Sequence, residues 1–131
     1  MAIRVLLDTN VILGLLKGSP EVARIDSMKT VSSGDCAYSA ITRIELLGFP
    51  GIGAADDRTI RDLLDNFLYL PVTRQIEDVA IALRRQPKKV KLPDALILAT
   101  AQTHALLLVT LDQDLNKLHH LGVSDGGQIT L

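Results

Sequence analysis

The chain has 131 residues, 47% of them hydrophobic but only 3% aromatic, and a formal charge of −1. That length suits a single domain over residues 1–131 with an aliphatic core. The scarcity of rings argues against base recognition on an aromatic platform, and the near-zero charge means that any nucleic-acid contact must come from a local basic patch.

The aliphatic run over residues 3–7 predicts a first strand, and it ends in Asp8. Asp8 interrupts the run too early for a signal peptide. Apolar residues Val11, Ile12, Leu15 and Leu16 then recur at helical spacing, predicting a helix over residues 9–17 stopped by Gly18 and Pro20. A second helix is expected from Pro20 to about Val31. A short strand follows over residues 35–38, then a helix over 40–47 capped by Ser39. An acidic, amphipathic helix is expected over 54–67, a third strand over 68–72, and a helix capped by Thr73 running to about Arg85. After a basic loop, Pro93 suits the first position of a helix over 93–104. That helix is apolar nearly all round and should be buried. A fourth strand over 105–109, a short helical turn beginning at Asp112, and a fifth strand over 128–131 complete the chain.

Strands alternating with helices predict an α/β fold: three layers, α/β/α, around a central, mostly parallel sheet of about five strands. The longest apolar stretches, 95–101 and 105–109, are split by Gln102-Thr103-His104. Both fall well short of the roughly 20 residues that span a bilayer. With Cys36 as the single cysteine, no intrachain disulfide can form, which fits a reducing compartment. A cytoplasmic protein with no membrane partner is the expectation.

Four acids stand out. Asp8 sits where a strand meets a helix, at the end of a strand where open α/β sheets bind ligands; a helix cap is the competing role. Glu45 falls in Thr42-Arg43-Ile44-Glu45, a capping-box pattern. A helix begun at Ser39 instead places it in the second turn, among Ile41, Ile44 and Leu47, near the core. Asp94 opens the buried helix, where a carboxylate needs a partner, although the helix dipole alone would also favour it. Asp112 follows a buried strand, and either it or Asp114 could cap the next turn. Three of the four follow predicted strands and the fourth opens a buried helix, and a parallel sheet can bring all such ends to one edge. Carboxylates gathered there repel and raise one another's pKa, a conflict that a divalent cation resolves. Oxygen ligands favour Mg2+ or Mn2+. The three histidines, His104, His119 and His120, read as structural or surface residues.

The motifs Leu7-Asp8-Thr9-Asn10, Thr42-Arg43-Ile44-Glu45-Leu46, Leu92-Pro93-Asp94-Ala95-Leu96-Ile97-Leu98-Ala99-Thr100-Ala101 and Val109-Thr110-Leu111-Asp112-Gln113-Asp114-Leu115 occur in that order. In this the chain resembles PIN-domain ribonucleases, most closely the VapC-type toxins of toxin–antitoxin pairs. The resemblance implies Mg2+- or Mn2+-dependent hydrolysis of an RNA phosphodiester, an antitoxin partner and a homodimer. It implies Asp8 and Asp94 as main metal ligands, with Glu45 and Asp112 completing the catalytic pocket. Thr9, Asn10 and Thr110 would be supporting polar residues, and Asp114 a further acidic position of variable role. The cluster Arg84, Arg85, Lys88, Lys89 and Lys91 precedes Asp94 and, with Arg43, could grip RNA phosphates; an ordinary solvated loop is the competing reading. An apolar groove near Gly48-Phe49-Pro50-Gly51-Ile52 is a candidate seat for the antitoxin. Two other functions compete: a PIN-domain processing nuclease that is not a toxin, and a receiver-type signalling domain phosphorylated on Asp8.

Overall fold

The computed structural model describes residues 3–20 and 33–122, residue 33 and the last four by backbone only. Four strands, β1 (Val5–Leu7), β2 (Cys36–Ser39), β3 (Leu68–Leu70) and β4 (Leu107–Val109), form one sheet in the order β3-β2-β1-β4. Every pairing is parallel, with Val5 opposite both Cys36 and Leu107, and Ala37 opposite Leu68. All four strands therefore end on the same edge. The sheet has four described strands where about five were expected; the fifth, over residues 128–131, lies outside the described residues, as does the helix expected from Pro20 to about Val31.

Side chains alternate across the sheet and divide the core in two. Val5, Leu7, Cys36, Tyr38 and Val109 face one side. There they meet α1 (Thr9–Lys17) through Val11 and Ile12, α2 (Ala40–Leu47) through Leu46, and α3 (Ala54–Leu64) through Ile60 and Leu64. Leu6, Ala37 and Leu108 face the other side. They pack on α4 (Arg74–Arg84) through Ile76 and Ala80, on α5 (Leu92–Thr103), and on α6 (Gln113–Gly122) through Leu115. This is the three-layer arrangement expected. As its composition implied, α5 is buried nearly all round, with Ala95, Ile97, Leu98, Ala99, Thr100 and Ala101 inside. No helix among the described residues is long and apolar enough to cross a membrane.

Several boundaries differ from expectation, each for a local reason. The strand expected to begin at residue 105 begins at Leu107, because the two preceding N–H groups close α5. Ala105 N donates to Gln102 O and Leu106 N to Ala101 O, with Ala105 in the left-handed region at φ 54°. β3 stops at Leu70 because Pro71 has no N–H to offer the ladder. Helix α3 ends at Leu64, beyond which Asn66 N and Phe67 N make tighter bonds to Leu63 O and Leu64 O. Helix α5 starts one residue early, with Lys91 as its N-cap residue. Pro93 is therefore its second residue, still among the helix-start positions whose N–H has no partner within the helix. The turn expected at Asp112 is a ten-residue helix. Ser39 and Thr73 cap as expected, accepting from Ile41 N at 3.0 Å and Ile76 N at 3.2 Å.

Candidate active site at the carboxyl edge of the sheet

Asp8 leaves β1 at the sheet edge and is only 6% exposed. Its backbone N–H still belongs to the sheet, donating to Val109 O at 3.0 Å. Each carboxylate oxygen has one donor: Oδ1 accepts from Thr9 N at 2.8 Å and Oδ2 from Thr110 Oγ1 at 2.7 Å. Asp8 is thus the N-cap residue of α1. The capping role set against a functional one is real, and it occupies a single oxygen. Burial raises the Asp8 pKa above its ordinary value; the Thr110 and Thr9 hydrogen bonds oppose this, and the charges of Asp94 and Glu45 add to it. Those two charges reach Asp8 because the parallel sheet brings their elements to the same edge.

Thr110, at the end of β4, is buried and receives as well as gives. Its Oγ1 accepts from Asp112 N at 3.0 Å and, in a long contact of 3.5 Å, from Asn10 Nδ2. Asn10 Oδ1 in turn accepts from Leu111 N at 3.1 Å. The first turn of α1 is thereby tied to the loop after β4, and the Thr110 hydroxyl is turned toward Asp8. On the other flank, Thr9 Oγ1 donates to Glu45 Oε1 at 2.7 Å and lies 2.9 Å from Thr42 Oγ1.

Asp94 is half-buried in the first turn of α5. Burial first, then the charge of Asp112, raises its pKa; Lys91 lowers it and Glu45 raises it further. The four acids therefore act on one another as a group: Asp94 and Glu45 on Asp8, Asp112 and Glu45 on Asp94. Asp112 is exposed and caps α6, its Oδ1 accepting from Asp114 N at 2.9 Å and Leu115 N at 3.2 Å. Asp112 rather than Asp114 therefore does the capping, through Oδ1. Asp114 is exposed one residue into the helix.

Glu45 corrects one expectation. It was placed near the core beside Ile44, but Ile44 is 65% exposed and Glu45 is exposed too. What holds Glu45 is Thr9, across 36 positions of sequence. Nor is it the partner of a capping box, since the N-cap residue of α2 is Ser39. Thr42, which the capping-box pattern disguised, is a fully buried member of the cluster. Its pairing three residues before Glu45 was a readable signal; its partner on another helix was not. Arg43 is exposed on α2 with its charge acting on the Tyr38 hydroxyl. Arg84, Arg85, Lys88, Lys89 and Lys91 are all exposed, and Lys91 adjoins Asp94.

Among the described residues, no three acid, histidine or cysteine side chains stand close enough to cage an ion unaided. A Mg2+-like ion does not need such a cage, because it is usually held by one or two carboxylates and keeps several waters. Asp8 and Asp94 fit that requirement. Both are carboxylates at one edge, and each is pushed toward its neutral form by burial and like charges that a cation would offset.

The raised pKa values have a measurable consequence without any ion. Between the ordinary carboxylate value of 3.8 and the raised one, the folded protein holds protons that the unfolded chain has released. Stability of the ion-free protein therefore falls as pH rises through that window and levels off above it. Asp8→Asn is expected to flatten the fall in urea midpoints measured in chelator. An equally steep fall in the variant would remove Asp8 as its source.

A PIN domain family model matches residues 5–121 of the chain. Ribonuclease VapC10 of Mycobacterium tuberculosis is 32% identical over 112 residues, 82% of each chain. A toxin–antitoxin complex from Klebsiella pneumoniae has a chain 30% identical to this one at a TM-score of 0.75, the match covering 95% of this chain and 99% of that one. FitAcB from Neisseria gonorrhoeae is 25% identical at a TM-score of 0.73, covering 94% and 96%.

Proposed function

The chain belongs to the PIN domain family, and from that premise we propose that it is a Mg2+- or Mn2+-dependent endoribonuclease, the toxin of a VapBC-type pair. One observation carries the reading: a buried aspartate, Asp8, is held at the sheet edge within the electrostatic reach of two further acids on other elements. The name of the Mycobacterium tuberculosis relative supports RNA as substrate, and the likeness to the Klebsiella pneumoniae complex supports the toxin role. A receiver-type domain would leave Glu45 and Asp94 without a task.

In this reading Asp8 and Asp94 hold the divalent cation. When bound, that ion would neutralise charge developing on the phosphate and favour deprotonation of a water. Glu45, aimed by Thr9, accepts the proton of the attacking water as the water oxygen bonds to phosphorus, and the ribose oxygen departs, taking up a proton from solvent. Thr110 and Asn10 keep Asp8 in position. Asp112 has its Oδ1 engaged in the cap and contributes charge to the site. Asp114 is a secondary contributor to the same acidic face. Arg43 and the basic stretch of Arg84, Arg85, Lys88, Lys89 and Lys91 contact phosphates flanking the cut.

A groove of 720 Å³ runs from Thr9 and Glu45 between α1 and α3, walled by Leu13, Ile44, Phe49 and Ile52. Ile44 and Phe49 are about two-thirds exposed, at 65% and 66%. This apolar groove is the antitoxin's proposed seat, and a complex that leaves those residues in solvent would reject it. A homodimer and a cytoplasmic location complete the proposal, by resemblance to the VapC-type toxins.

The deciding experiment is incubation with total RNA in Mg2+, with and without chelator, followed by mapping of new ends. Discrete cuts that vanish with chelator are expected. Intact RNA in Mg2+ would end the nuclease reading. Growth arrest on expression, relieved by the product of a small neighbouring gene, would separate a toxin from a processing nuclease.

A further inference from the structure

Most buried hydroxyls have a hydrogen-bond partner, and a helical threonine often finds one in the carbonyl four residues back along its own helix. Thr59 and Thr100 do this, donating to Ala55 O at 3.0 Å and Leu96 O at 2.7 Å. Thr42 does not. Fully buried in the first turn of α2, it faces Thr9 at the start of α1, oxygen to oxygen at 2.9 Å.

Either oxygen of that pair could be the donor by distance, but donor counting decides between them. Thr9 Oγ1 carries one proton and lies 2.7 Å from Glu45 Oε1. Thr9 is the donor in that bond, so its proton is committed to Glu45. The Thr42 proton must then point at the Thr9 oxygen. The result is a directed chain, Thr42 to Thr9 to Glu45, in which each bond polarises the next. Its origin is buried and rigid, while its end is an exposed glutamate with many rotamers open to it. Thr42 and Glu45 are three apart on one helix face, so the chain leaves α2, crosses to α1 and returns.

We propose that Thr42 is a positioning residue: its buried hydroxyl, donating to the Thr9 oxygen, holds the Thr9 side chain in place and so aims the Glu45 carboxylate at the acidic edge. The proposal rests on the nuclease reading for its consequence in catalysis, but not for its geometry.

Two substitutions separate positioning from packing. Thr42→Val keeps the methyl group and the volume and loses the hydroxyl; Thr42→Ser keeps the hydroxyl and loses the methyl. Positioning predicts that Thr42→Val lowers kcat on a short RNA roughly tenfold with KM within about twofold, and that Thr42→Ser rescues most of the loss. A packing role predicts the reverse order, because serine leaves the cavity. Crystal structures of both variants without metal give a readout independent of activity. Glu45 should stay on Thr9 in Thr42→Ser and leave it in Thr42→Val. If Thr42→Val does not fold, Thr9→Val, at a part-exposed site, breaks the same chain one link on and must displace Glu45 likewise. Glu45 unmoved in a folded valine variant, or an unchanged kcat in Thr42→Val, overturns the proposal. If the wild-type protein leaves RNA intact, the nuclease reading falls and the structures still decide the role of Thr42.

Discussion

Asp8→Asn and Asp94→Asn should each lower Mg2+-dependent RNA cleavage by on the order of a hundredfold to a thousandfold, the scale on which loss of a single charge-stabilising group acts. The substitution changes charge and little else. Asparagine has the shape of aspartate, and at position 8 its carbonyl can still accept from Thr9 N, keeping the cap of α1. The other contact inverts: an amide NH2 in place of Oδ2 would face the Thr110 hydroxyl, which must then turn its proton away. Asp94 is half-buried in the first turn of α5, so its asparagine variant loses a favourable interaction with the helix dipole, worth about 0.3–1 kcal/mol. Neither change is large enough to unfold the domain. Under the proposed mechanism the lost activity is a loss of cation binding, and titration of Mg2+ into the folded variants should show it directly. Undiminished cutting by a clean, folded Asp8→Asn preparation would remove Asp8 from the site.

The next largest effect is expected from the basic stretch. Lys88, Lys89 and Lys91 are exposed, while Val90 between them is buried and pins the stretch to the core. Lys91 adjoins Asp94 closely enough to lower its pKa, so this cationic stretch ends at the candidate active site. Each single-strand phosphate neutralised contributes about 0.7 to the slope of log affinity against log salt. Replacing all three lysines with alanine should flatten that slope by roughly 2 and weaken RNA binding about a hundredfold near 0.1 M salt. Stability should hardly move, since exposed side chains without specific partners are usually worth less than about 0.5 kcal/mol. Binding is best measured in an Asp8→Asn background, where the RNA stays whole. An unchanged salt slope would reduce the stretch to an ordinary solvated loop.

Both expectations start from features legible in the chain itself. Short aliphatic runs alternating with 3.6-residue patterns were enough for a parallel sheet between two helical layers, because strand and helix period are local properties. Parallel pairing then puts every strand end on one edge, and so Asp8 and Asp112 on the same edge. The buried character of α5 and the caps at Ser39 and Thr73 were equally local. Tertiary structure alone decided how the acids are held. Nothing local marks Thr9 as the donor to Glu45, 36 positions away, or Thr110 as the donor to Asp8, 102 positions away. Local pattern even misled at Glu45, whose neighbour Ile44 faces a surface groove rather than the core. It also concealed Thr42 inside an apparent capping box. Sequence period reports which face of an element is apolar; the partner of a buried hydroxyl or carboxylate depends on which elements the fold sets side by side.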